Sequence, residues 1–135
     1  GGVGTFGIVN ADLFSSVTVV ESVPASIKMA ERNAILNNAL NVKAVVLDAQ
    51  YIRRLSFFGK LFVVMDPPRS GMHPKTIDYL REIKPEVIIY ISCNAQQLSK
   101  DLMKFQDYSI QSAALFDLFP QTVHSEAVVE LRRKG

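Results

Sequence analysis

The chain carries a single cysteine, Cys93, which ends the apolar run Val87-Ile88-Ile89-Tyr90-Ile91-Ser92. A thiol leaving a strand at the carboxyl end of an open α/β sheet stands where such folds put their sites. Position alone also fits the commoner fate of a lone cysteine among β-branched residues, that of a small buried hydrophobe. A second polar group lies near the end, Phe119-Pro120-Gln121-Thr122-Val123-His124-Ser125-Glu126. Thr122 and His124 can satisfy the backbone of a loop. Glu126 opens an otherwise apolar strand, where partial burial would make it a stronger base. A third group opens the chain: Gly2-Val3-Gly4-Thr5-Phe6-Gly7 fits G-x-G-x-x-G, and the acid Glu21 ends the next apolar run. Such glycines let a ligand approach the backbone and a helix N-terminus, while an acid at a strand end accepts hydrogen bonds from ribose hydroxyls. The pattern favours a nucleotide-containing ligand over a mere turn.

Two further acids sit at the ends of apolar runs. Asp48 could reach an adenine, or be one more solvated acid of a polar loop. Asp66-Pro67-Pro68-Arg69 follows Leu61-Phe62-Val63-Val64-Met65. The two prolines stop the ladder and stiffen the loop. A structural turn needs nothing more, yet a rigidly held acid at a strand's carboxyl end also suits a planar amide-bearing ligand. His73, before Pro74, reads as an exposed loop residue.

The elements that must position these groups alternate in period. Strands are predicted at 16–21, 42–47, 61–66, 86–92, 109–115 and 126–131. Most are continuous Val- and Ile-rich runs, as in strands buried on both faces. Helices are predicted at 24–38, with Ile27, Ala30, Ala34 and Leu36 or Asn37 on one face, at 74–83, opened by a proline, and at 95–105, with Leu98, Leu102 and Phe105 on one face. The first four strands alternate with helices, which implies a mainly parallel sheet with covered faces. The short loop 116–125 joins the last two as an antiparallel hairpin closing one edge. Four of the seven glycines fall in the first seven residues with no strand before them. Such a turn normally follows a strand, so the sheet is expected to lack its first strand.

At 135 residues the chain is read as one domain, with 48% hydrophobic and 21% charged residues, ordinary values for a globular protein. No apolar stretch reaches the roughly 18 residues of a membrane span, and the glycine-rich start is unlike a signal peptide. One cysteine excludes an intrachain disulfide framework and fits a reducing, cytoplasmic setting. A net charge of +2 does not by itself argue for nucleic acid, although Arg132, Arg133 and Lys134 make a basic end.

Taken together, Thr5 after Gly-Val-Gly, Glu21, Asp66-Pro67-Pro68-Arg69, Ser92-Cys93-Asn94 and the segment Phe119 to Glu126 stand in the order and spacing of the RNA uracil-5-methyltransferase family, which the chain resembles over its whole length. Ser-Cys-Asn followed by Phe-Pro-x-Thr-x-His-x-Glu is the specific part; the glycine motif alone is weak. The opening, present only from Gly1-Gly2, resembles the archaeal form. The resemblance implies a class I, Rossmann-like methyltransferase domain over residues 1–135, S-adenosylmethionine as cofactor, and a uridine of tRNA or rRNA as substrate. It implies Cys93 as nucleophile and Glu126 as base. Gly2, Gly4, Thr5, Glu21, Asp48 and Asp66 would fall at cofactor-binding positions, and Asp66, Arg69 and His124 near the substrate. RNA-binding parts and the cysteines of an iron–sulfur cluster, found in members of the family, have no counterpart here. The chain is therefore expected to be a C-terminal catalytic fragment without a metal and with impaired activity by itself, of open oligomeric state.

Four other readings compete. A cysteine hydrolase would use Cys93 with His124 and Glu126, but the glycines of a nucleophile elbow are absent and Glu21 would have no task. A nicotinamide-dependent dehydrogenase would explain Gly2 to Glu21 and nothing later. A non-catalytic nucleotide- or RNA-binding module would keep the fold without using the thiol. An RNA cytosine-5-methyltransferase would share the thiol mechanism but normally carries a proline-cysteine or threonine-cysteine-serine signature, which does not occur here.

Overall fold

A computed structural model describes residues 11–57, 59–116 and 126–135. The chain divides after Ile52 into two compact units. The glycine-rich opening, with the expectation of a missing strand, and residues 117–125 lie outside the described residues.

In the first unit a short 3-10 turn, Ala11–Leu13, precedes strand β1 (Val17–Glu21), helix α1 (Pro24–Leu36) and strand β2 (Val42–Val46). Helix α1 starts where Val23 is extended and Pro24 supplies a fixed φ at a position whose N–H needs no partner. Ile27, Ala30 and Ala34 are its buried face. Leu36, expected as a candidate for that face, is 80% exposed. At about 100° per residue it lies some 200° around the helix from Ala34, on the far side. The helix also ends earlier than predicted, because Asn38 adopts φ 56°, a left-handed conformation asparagine tolerates. Packed on both strands, α1 is the crossover that lets β1 and β2 pair in parallel, Val17 opposite Val42 through Glu21 opposite Val46. Asn41 anchors the first turn, its amide donating to the carbonyls of Ala11 and Phe14 at 2.8 Å each.

A second 3-10 helix, Ala49–Arg54, leads to the second unit. Neither 3-10 segment was predicted. There β3 (Phe62–Met65), α2 (Pro74–Ile83), β4 (Val87–Ser92), α3 (Ala95–Leu102), β5 (Tyr108–Phe116) and β6 (Glu126–Arg133) follow in order. The sheet runs β3-β4-β6-β5. The pair β3/β4 is parallel, and β6 lies antiparallel to both β4 and β5, with a bulge between Ile110 and Ser112. The predicted edge hairpin is thus present, its return strand next to β4.

The core of this unit explains the arrangement. Ile77 and Leu80 of α2 and Leu98 of α3 pack with Ile88 and Tyr90 of β4 and Val129 and Leu131 of β6. Residues two apart on a strand share a face, so both helices load the same side of the sheet. Phe105 and Tyr108 meet edge to face at 6.0 Å in the same core. Phe105 is buried as expected, but from a turn, since α3 stops at Leu102. Among the described residues only β4 is a strand close to fully buried; Phe62 and Val64 of β3 are 41% and 44% exposed. The expectation of covered faces therefore holds for β4 and fails for β3. The described helices of this unit, α2 and α3, pack on one face of their sheet, which leaves alternate β3 residues open.

Candidate active site

Strand β4 delivers Cys93. Its backbone is paired through Ser92, opposite Ala127 of β6, and the next residue on each chain is Cys93 and Glu126. Directly opposed residues of an antiparallel pair lie about 4.5–5.5 Å apart at Cα. One step past Ser92 and Ala127, thiol and carboxylate thus stand on adjacent chains at the same end of the sheet. Cys93 is exposed, so the buried-hydrophobe reading fails. Glu126 is half-buried as the first residue of β6, paired with Phe116 of β5.

The turn after Ser92 is held from within. The Ser92 hydroxyl donates to the Asn94 carbonyl at 2.9 Å and accepts from the Asn94 N–H at 3.0 Å. Asn94 then caps α3, its side-chain oxygen accepting from Gln97 N–H at 3.3 Å. Its amide donates to the Arg69 carbonyl at 3.0 Å. The loop after β3 is thereby tied to the thiol's own loop. Asp66 and Arg69 are exposed there, at the carboxyl end of the strand parallel to β4. The structure brings four predicted residues to this end of one sheet: Cys93, Glu126, Asp66 and Arg69.

In the first unit the two remaining described candidates also share an end. Glu21 closes β1 and Asp48 stands two residues beyond Val46, the β2 residue paired with Glu21. Glu21 is half-buried and accepts from the Ser22 N–H at 3.1 Å, while Asp48 is exposed and accepts from Gln50 N–H at 3.0 Å. Two carboxylates at the carboxyl ends of adjacent parallel strands are acceptors of the kind that ribose hydroxyls and an exocyclic amine require. This pair of acceptors fits an adenosine-containing cofactor. Gly2, Gly4, Thr5 and His124 lie outside the described residues.

Sequence reasoning missed the polar cluster behind the site. Asp101 of α3 is fully buried. One carboxylate oxygen accepts from the Tyr90 hydroxyl at 2.5 Å and Met72 N–H at 3.0 Å, the other from the Gln97 amide at 3.0 Å, with Lys104 at 4.0 Å. Burial, then the bond to Asp101, pushes the Tyr90 phenol well above its ordinary range. A buried tyrosine two residues before Ser92 was the available signal, since its hydroxyl needs a partner. Among the described residues no His, Cys, Asp and Glu cluster could hold a metal, and no helix is long and apolar enough to cross a membrane.

Comparison with known proteins identifies the family and the fold. Residues 1–134 match the family model described as tRNA (Uracil-5-)-methyltransferase. The chain is 41% identical over 130 residues to the tRNA (uracil(54)-C(5))-methyltransferase of Pyrococcus horikoshii, covering 96% of this chain and 31% of that protein. It is 35% identical to a 23S rRNA (uracil(747)-C(5))-methyltransferase of Salmonella enteritidis, covering 98% and 35%. The chain thus spans about a third of the length of these relatives. A crystal structure of the Pyrococcus abyssi tRNA (uracil-54, C5)-methyltransferase in complex with S-adenosyl-L-homocysteine superposes with a TM-score of 0.84 at 38% identity, over 96% of this chain and 32% of that one. An rRNA methylase from Streptococcus thermophilus shares the fold alone, with a TM-score of 0.73 at 10% identity over 99% and 82%.

Proposed function

The chain belongs to the tRNA (uracil-5-)-methyltransferase family, and from that premise we propose that it is the catalytic part of an enzyme that methylates carbon 5 of a uridine in tRNA or rRNA. The observation that carries the reading is the exposed Cys93 one step past the Ser92–Ala127 pair, with Glu126 next to it on the neighbouring strand. Carbon 5 of uracil is a poor nucleophile. Addition of the Cys93 thiolate to carbon 6 moves the ring electrons onto an enolate and makes carbon 5 nucleophilic. S-adenosylmethionine, when bound, supplies an electrophilic methyl group. After carbon 5 is methylated its proton must leave; Glu126 takes it, the ring double bond re-forms, and the thiolate departs.

Glu21 would hold the cofactor's ribose and Asp48 its adenine. Gly2, Gly4, Thr5 and Asp66 are carried over to the same ligand by their positions in the family motifs. Asp66, Arg69 and His124 are assigned to the substrate, Asp66 at the uracil edge and Arg69 at phosphate or developing charge. The target base has to leave its stack to reach an exposed thiol at a sheet end. Tritium release from RNA containing [5-³H]uridine, measured with the full-length protein and S-adenosylmethionine, tests the reaction. Release that depends on the cofactor is expected. No release from any tRNA or rRNA transcript would refute it.

A further inference from the structure

The cluster around Asp101 has no part in the chemistry above, yet it grips the loop that carries Asp66 and Arg69. Two contacts do this, both from α3. At the helix start the Asn94 amide holds the Arg69 carbonyl, and Asp101, seven residues on, holds the Met72 N–H. Seven residues are two turns, about 10 Å along one face. Gln97 sits on that face between them, its N–H on Asn94 and its side-chain amide on Asp101. Gly71 lets the loop come this close. Its φ is +88°, and a Cβ there would lie 2.6 Å from the Asp101 carboxylate and 2.6 Å from Gln97 Cγ.

We infer that α3 is a two-point clamp that fixes residues 66–72 relative to the Cys93 loop, and that Asn94 is a positioning residue for attack of the thiol on the uracil. Asn94 reaches both partners with one side chain: its oxygen caps the helix and its amide holds the loop. The inference rests on the methylation reading. Loss of the amide frees the loop at one end and loosens the substrate groups against the thiol, while the fold keeps its cap. Misplacement of about 1 Å at a reacting pair costs on the order of a hundredfold in rate.

The test is Asn94→Ser in the full-length protein. Serine keeps the neutral helix cap and is too short to reach the Arg69 carbonyl. Three quantities are read: the single-turnover rate of covalent adduct formation with 5-fluorouridine RNA, the affinity for S-adenosylmethionine, and amide exchange across residues 69–72. The expected result is an adduct rate lower by about tenfold to a hundredfold, unchanged cofactor affinity and unfolding midpoint, and faster exchange at 69–72. Asp101→Asn should show the same fall in rate together with lost stability; if it fails to fold, Asn94→Ser decides alone. An adduct rate equal to wild type, or a loss matched by equal losses of cofactor affinity and stability, overturns the clamp. A wild-type protein that forms no adduct overturns the methylation reading instead, and the exchange data still report whether the clamp exists.

Discussion

Replacing Gly71 with alanine should destabilise this part of the protein for two separable reasons. The first is conformational: at φ +88° an L side chain crowds its own backbone, at a cost of about 1–2 kcal/mol. The second is a contact. The new Cβ would lie 2.6 Å from a carboxylate oxygen of Asp101, so the loop must back away and the Met72 N–H must lose its charged acceptor. A hydrogen bond to a charged group contributes roughly 1.5–3 kcal/mol, which brings the total to about 2.5–5 kcal/mol. Gly59 supplies the control. Its φ is +77°, but a Cβ there meets nothing within 4 Å. Gly59→Ala should therefore cost only the conformational part, about 1–2 kcal/mol. Urea unfolding of the two variants, compared at equal slope, reads the difference directly. If the two substitutions cost the same to within about 0.5 kcal/mol, the close packing of the loop on Asp101 is wrong.

Three other outcomes follow from the same geometry. Glu126→Gln should allow methyl transfer but stall release, leaving a methylated protein–RNA adduct on a denaturing gel; free, unmethylated RNA as the only product would count against Glu126 as the base. Glu21→Ala should weaken S-adenosylmethionine binding roughly tenfold to a hundredfold by loss of a charged hydrogen bond to ribose, read by calorimetry, and an unchanged affinity would remove Glu21 from the cofactor site. Tyr90 has its folded pKa raised above the unfolded value of 10.0, so its contribution is whole below that pH and is lost as pH rises beyond it. Tyr90→Phe should accordingly flatten the fall in stability above about pH 10, while costing about 1–3 kcal/mol at pH 8 because the buried Asp101 carboxylate loses one of its three hydrogen bonds. An alkaline limb identical to wild type would contradict the buried phenol.

Much of this architecture was legible in the chain because its signals are local. Apolar runs, most of them Val- and Ile-rich, mark β1 to β6 within a residue or two, and Pro24 and Pro74 mark two helix starts at the residue. Cys93 and Glu126 were legible as candidates because each lies at a strand end, and their juxtaposition needed only the β4/β6 register. Helix ends were less clear: Asn38 and the turn after Leu102 depend on single backbone conformations that periodicity does not encode. Asp101 was illegible. In Ser99-Lys100-Asp101-Leu102 it looks like one more solvated charge, and it is buried among partners from other segments, Tyr90 of β4 and Met72 of the loop, with Gln97 one turn back on its own helix. The burial of β3 was misjudged for a related reason, since its apolar run says nothing of which face a helix will cover.

The proposed reaction requires the Cys93 sulfur to bond to carbon 6 of a uracil. Incubating the full-length protein with S-adenosylmethionine and RNA containing 5-fluorouridine tests it, because fluorine cannot leave as a proton and the adduct must accumulate. Digestion and mass spectrometry should find the methylated fluorouridine on the peptide containing Cys93, with none in Cys93→Ser. An adduct on another residue, or one that forms equally well in Cys93→Ser, would contradict the account.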